Sequence, residues 1–178
     1  MIATARIIGL LNAAIWLGAA VFAAWGTTKA VGSSEMQALL TPRHYPYISG
    51  VVSELIAARY WDLHIVCSVV ALFHLCAESL YFGKVIAKNS LALLLSLLLL
   101  GIAQEVVIQP AVKRLHLGAH AVNRTEVQKD VSARAKARWQ WASQAIYVLV
   151  VIGLGSHLWR VANPPDATRF LVPGKYRS

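Results

Sequence analysis

The sequence predicts an all-α integral membrane bundle of four transmembrane helices, and three observations carry that prediction. Hydrophobic residues make up 57% of the 178 and charged residues 14%, against about 25% charged in soluble domains. Mean hydropathy is +0.55, high for so short a chain. Two uncharged runs are long enough to cross a bilayer: 22 residues between Arg6 and Lys29, and 21 between Arg138 and Arg160. A crossing needs roughly 20 predominantly apolar residues. The length fits one domain, with no room for a catalytic module beside a second one.

The first span is placed at 7–26. A cleaved signal peptide fits it poorly, because the basic region before it is a single Arg6, the apolar run is too long, and no convincing small-x-small cleavage site precedes Trp25. In the first loop, 35–40 is expected as a short surface helix ended by Thr41-Pro42. Pro46 and Gly50 are expected to separate it from 51–61, which leads into the second span at 63–82. That span has 15 uncharged residues between Asp62 and Glu78, so it is complete only with Glu78 inside the membrane. The third, 90–108, has 16 between Lys88 and Glu105 and needs Glu105 inside in the same way. The fourth is placed at 139–161.

Pro110 is expected to kink or end the third span, yet Val112, Leu115, Ala119 and Val122 continue a helical spacing beyond it. Asn123-Arg124 reads as a turn. Thr125 and Gln128 have capping-box spacing and open a basic amphipathic segment that runs into Trp139. The third and fourth spans are therefore predicted to extend past the lipid as a helical hairpin, each arm adding about 12 residues or roughly 18 Å. Residues 1–163 form one domain on this reading, and 164–178 a loosely ordered tail.

The formal charge of +9 raises the question of nucleic acid, and position answers against it. The basic residues lie at helix ends, where they favour anionic lipid headgroups and set orientation. An even number of spans puts both termini on one side with the second loop. That side carries seven Lys and Arg, the first and third loops ten. The excess leans towards termini outside and the two long loops in the cytoplasm.

Several features resemble a known family. They are Trp16-Leu17-Gly18 followed by Phe22, a polar loop of about 30 residues holding a short helix, Pro110 just after the third span, and the amphipathic segment entering an aromatic-rich fourth span. Together they resemble the bacterial membrane family of unknown function related to the eukaryotic transmembrane protein two-hundred-and-five, over most of residues 7 to 160. The resemblance implies four helices, a bacterial inner membrane, and no settled biochemistry. Relatives often carry a His near the start of the last span, whereas this chain has Gln140 and Gln144 there.

Chemistry is sought among the polar residues at membrane depth, which are costly in lipid and hence functional suspects. At about 100° per residue, His64, Cys67, Ala71, His74 and Glu78 fall on one stripe of the second span, expected to face the bundle. With Glu105 and Gln109 of the third span, His64, His74 and Glu78 make up an expected polar intramembrane network. His74 and His157 lie at compatible depths on different helices and could hold one haem b, with Glu78 orienting His74. Glu105 facing His64 would suit passage of a proton or cation.

His116 and His120 have metal-ligand spacing but no third ligand, and are expected as an interfacial pair at the headgroups. Cys67 and Cys76 fall on different faces of one helix, which excludes a disulfide framework. There is no GxSxG, HExxH or P-loop. The leading expectation is a non-catalytic accessory or structural subunit of a larger membrane assembly, with no cofactor and no metal. Its partners would be the bilayer, anionic headgroups, and other membrane subunits or a second copy. A haem-binding redox protein using His74 and His157, and a small proton or cation transport protein using Glu105, stay open as alternatives.

Overall fold

The computed structural model describes residues 2–42, 44–82 and 87–163, and over these the chain is helical with no strand. The elements are α1 (Ile2–Val21), a π-helical turn (Phe22–Gly26), α2 (Thr27–Val31), α3 (Ser34–Leu39), α4 (Tyr45–Phe82), α5 (Lys88–Ala103), a second π-helical turn (Gln104–Ile108), α6 (Gln109–Ala119) and α7 (Glu126–Ala162). They stack into four rods: α1 to α2, α4, α5 to α6, and α7. Each rod is long and apolar enough to cross a membrane, so the chain is an integral membrane protein, as its sequence predicts. Residues 164–178, expected as a tail, lie outside the described residues.

The rods are longer than a bilayer needs. α4 has 38 residues, roughly 57 Å at 1.5 Å per residue, against a hydrocarbon thickness of about 30 Å. α7 has 37. Since the uncharged stretches begin near Leu63 and Trp139, the excess lies on the side of the first loop. There α6 packs along the first half of α7, which forms the predicted extramembrane hairpin. The hairpin's turn is fixed by the predicted capping box: Gln128 N–H donates to Thr125 Oγ1 at 3.4 Å, and Thr125 N–H to Gln128 Oε1 at 3.3 Å. In the first loop, Ser33 caps α3 by accepting from Met36 N–H at 3.2 Å. Glu35 in its first turn is held below the usual carboxylate range by backbone N–H and by the Ser33 hydroxyl.

Two expected interruptions are absent. α4 begins at Tyr45, so Pro46 falls in its first turn, where a missing N–H forfeits no intrahelical bond. Gly50 remains inside the same helix because another ring needs the space: a Cβ there would come closer to the His116 imidazole than real Cβ atoms do. Pro110 likewise does not end the third rod. The carbonyl that its ring would crowd is that of Val106, four residues earlier. Val106 lies in the π-helical turn, whose wider winding relieves the clash before α6 resumes.

α1 packs on α4 and α7, while α5 with α6 packs on the same two rods, so α4 and α7 face each other across the diagonal. Between them lies a core that includes Trp16, Trp61, Leu94, Leu97, Val150 and Leu154, all within 2% of full burial. The outer surface of the spans is apolar too: Phe73 is 71% exposed, Leu99 65% and Ile152 62%. That surface suits lipid rather than water. Cys67 is buried and Cys76 exposed, consistent with their different faces.

Candidate functional site

At the end of the bundle nearest the first loop, the four rods part around an open cavity of about 420 Å3 whose lining mixes apolar and polar side chains. Thr27 of α2, Ser53 and Glu54 of α4, Gln109 of α6, and Gln140 and Gln144 of α7 all line this vestibule. Every rod contributes, so the cavity exists only in the assembled bundle.

Two backbone irregularities place its wall. The turn Phe22–Gly26 delivers Thr27, and the turn Gln104–Ile108 delivers Gln109. A π-turn inserts one residue, which rotates everything after it by roughly 100° against the α-helical phase. Both turns therefore reset which side chains face inwards at the level of the cavity, on two rods at opposite corners. Such turns occur frequently at functional sites.

The wall holds unused hydrogen-bonding capacity. Thr27 Oγ1 and Glu54 Oε1 are buried and have no partner within the protein, although Thr27 is only 7% exposed. Leaving a buried polar atom unpaired costs about 1–3 kcal/mol; Trp61 Nε1, Gln104 Oε1 and Glu105 Oε2 also lack a partner, so the vestibule wall holds two of the five such atoms among the described residues. Glu54 lies within electrostatic range of Lys136 and Lys113. Yet Lys136 Nζ is engaged elsewhere, donating to His116 Nδ1.

That bond ties together the outer end of the bundle. His116 is fully buried, stacked on Tyr47 with ring centroids 5.5 Å apart and 8° between planes. With Nδ1 accepting from Lys136, the ring proton resides on Nε2 and donates to the Tyr47 carbonyl at 3.0 Å. The expectation of a headgroup-facing His116–His120 pair is thus corrected for His116, because Tyr47, Gly50 and Lys136 enclose it from two other rods. His120 Nδ1 bonds back to the His116 carbonyl at 3.0 Å. Among the described residues no group of three His, Cys, Asp or Glu side chains is placed to hold a metal ion.

Tyr147 closes the vestibule on the membrane side. Its ring packs on Trp61 at 4.9 Å and on Tyr60 at 5.3 Å, and all three are buried. Beneath this aromatic layer sits His64, 0% exposed. Trp16 Nε1 donates to its Nδ1 at 2.9 Å, so Nε2 carries the proton and donates to the Leu97 carbonyl, also at 2.9 Å. The Tyr60 hydroxyl stands 3.3 Å from Nδ1. Both ring nitrogens are satisfied, and Gly101 leaves the space the ring occupies.

The other residues nominated from sequence are dispersed. His74 rests its ring on Gly9 of α1 and comes within electrostatic range of His157. His157 in turn has the Trp16 indole edge-on at 6.2 Å, so a porphyrin on His157 would compete with that packing. Glu78 is half-buried further along α4. Glu105 is half-buried in the second π-turn, with Oε2 lacking a partner. Its charged neighbours are Arg59 and Asp62, themselves an exposed ion pair at 3.1 Å. No hydrogen bond among the described residues joins Glu105 to His64. Gln109 is the one nominated residue that lines the vestibule.

No family model, no curated protein and no solved structure matches this chain.

Proposed function

We propose that this chain is a non-catalytic membrane protein that holds a small polar ligand in the vestibule, at the boundary between lipid and water. The observation that supports it is the coincidence, in one cavity drawn from all four rods, of two π-turns with the unpartnered Thr27 and Glu54 oxygens. A cavity of this size falls within the roughly 300–1,000 Å3 usual for small-molecule sites. The side chains that line it include neither His nor Cys, and Glu54 Oε1 makes no hydrogen bond to a lining hydroxyl that it could activate. On the charge asymmetry of the loops, the vestibule opens to the cytoplasm of a bacterial inner membrane.

The test is a thermal-stability screen of the purified protein against sugars, polyols, amines and small carboxylates. At least one class should raise the transition temperature of the wild type, by mass action, and do so less for Glu54→Gln. A flat response across all classes removes the reading.

A second reading, a subunit of a larger assembly, is favoured by Val127 and Val131. They stand one turn apart on the projecting part of α7 and are 75% and 62% exposed. Cross-linking from position 131 in native membranes should give a discrete heavier species, a second copy or another subunit. Monomer alone would count against it. For the haem alternative, protein expressed with ample haem is expected to be colourless. A Soret band lost in His74→Ala would overturn that expectation.

A further inference from the structure

We infer that the vestibule takes a neutral polyhydroxylated ligand, bound through adjacent hydroxyl groups: a soluble sugar or polyol, or the sugar or inositol headgroup of a lipid. This rests on the ligand-binding reading above and narrows it by charge, by hydrogen-bond type and by shape.

Charge comes first. Glu54 is the one charged side chain lining the cavity. Lys136 and Lys113 stand within electrostatic range of Glu54 but outside the lining, so they oppose a cation there, while an anion meets the carboxylate directly and the lysines only at a distance. A neutral ligand depends on neither balance.

The wall then selects among neutral groups. Thr27, Gln109, Gln140 and Gln144 carry a hydroxyl or carboxamides able to donate and accept, while Ser53 already donates to the Ser49 carbonyl at 2.9 Å and keeps its acceptor capacity. A ligand hydroxyl does the same, whereas an ether or ketone only accepts. Glu54 accepts only, and its two oxygens can each receive one O–H of a vicinal diol. Tyr45 and Tyr147 also line the cavity, offering flat apolar surface to the C–H face of a ring beside the polar groups that orient it.

The probes are methyl β-glucoside and myo-inositol as soluble polyols, ethanolamine as a cation and propionate as an anion. Phosphatidylcholine nanodiscs with or without a glucosyl or inositol lipid supply the headgroup source. Full-length wild type should bind at least one polyol. Glu54→Gln should weaken that binding roughly ten- to hundredfold, the range for losing a hydrogen bond to a charged group. Gln144→Ala should weaken it roughly three- to tenfold, and because Gln144 is an exposed residue its loss leaves folding intact. Response to a soluble polyol identifies a free solute as the ligand. Response only in discs holding the glycosyl or inositol lipid identifies a headgroup. If ethanolamine or propionate binds and no polyol does, the inference fails while the ligand-binding reading survives. If no probe binds, both fail. Unchanged polyol affinity in both variants also overturns the inference.

Discussion

His64 and Glu54 lie on the same helix, ten residues apart, and illustrate two ways of burying a polar group. His64 has both ring nitrogens bonded, to Trp16 and Leu97, and a glycine beside it to admit the ring. Glu54 has a buried oxygen with no partner, in a cavity walled by hydroxyls and carboxamides. Below the aromatic layer of Tyr60, Trp61 and Tyr147 the bundle is filled, and His64 and Ser68 are paired. Above that layer it opens into the vestibule, where Thr27 Oγ1 and Glu54 Oε1 have no partner although Ser53 and His116 are bonded. The difference teaches that one half is built for packing, while the other leaves two buried oxygens unmatched within the protein, the feature on which the proposed ligand site rests.

The filled half should break most easily. Trp16→Ala removes a fully buried indole and leaves His64 Nδ1 without its main donor. A loss of about 3–5 kcal/mol is expected, readable as the fraction folded in a mixed-micelle denaturation series. Gly101→Ala should cost about 1–3 kcal/mol by overpacking the His64 ring. Gly18→Ala and Gly155→Ala, where a Cβ meets nothing within 4 Å, should stay near zero or gain slightly. Equal responses at Gly101 and Gly18 would show that the close approach to His64 is not a constraint.

The open half should respond differently. Lys136→Met deprives the buried His116 of the donor on Nδ1, and an unpaired buried acceptor costs about 1–3 kcal/mol. Thr27→Val removes a hydroxyl that has no partner, so stability should be unchanged or raised by a few tenths of a kcal/mol. If Thr27→Val destabilised the protein as much as Lys136→Met, the hydroxyl would have a structural role and the contrast between the halves would weaken.

The helices were legible because hydrocarbon imposes its length on sequence: Arg6 to Lys29 and Arg138 to Arg160 are bounded by charges that lipid excludes. The capping box at Thr125 and Gln128 was equally legible, being local. The vestibule was not, and its residues show why. Glu54 lies in 51–61, which reads only as a lead into the second span after a break at Pro46 and Gly50, and the close approach of the His116 ring explains the glycine at position 50. His116 reads as half of an exposed pair until Tyr47 and Lys136 arrive from positions 69 and 20 residues away. The π-turns carry no local mark except Pro110, since a one-residue register shift leaves composition untouched. Gln140 and Gln144 were visible as departures from a family pattern, a signal without a location. Glu105 was nominated by its depth along an ideal helix, a count that could not show Arg59 and Asp62 of the neighbouring rod within electrostatic range of it.

Thiol accessibility tests the contrast most directly. In a background lacking Cys67 and Cys76, a single cysteine is placed at Ser53, which lines the vestibule, or at Ser68, which is 0% exposed in the filled half. A membrane-impermeant maleimide is then added to inverted and right-side-out vesicles. The Ser53→Cys protein should be labelled from one side only and the Ser68→Cys protein from neither. Equal protection at both positions, or labelling of Ser68→Cys at the rate of Ser53→Cys, would contradict a water-filled vestibule above a closed core.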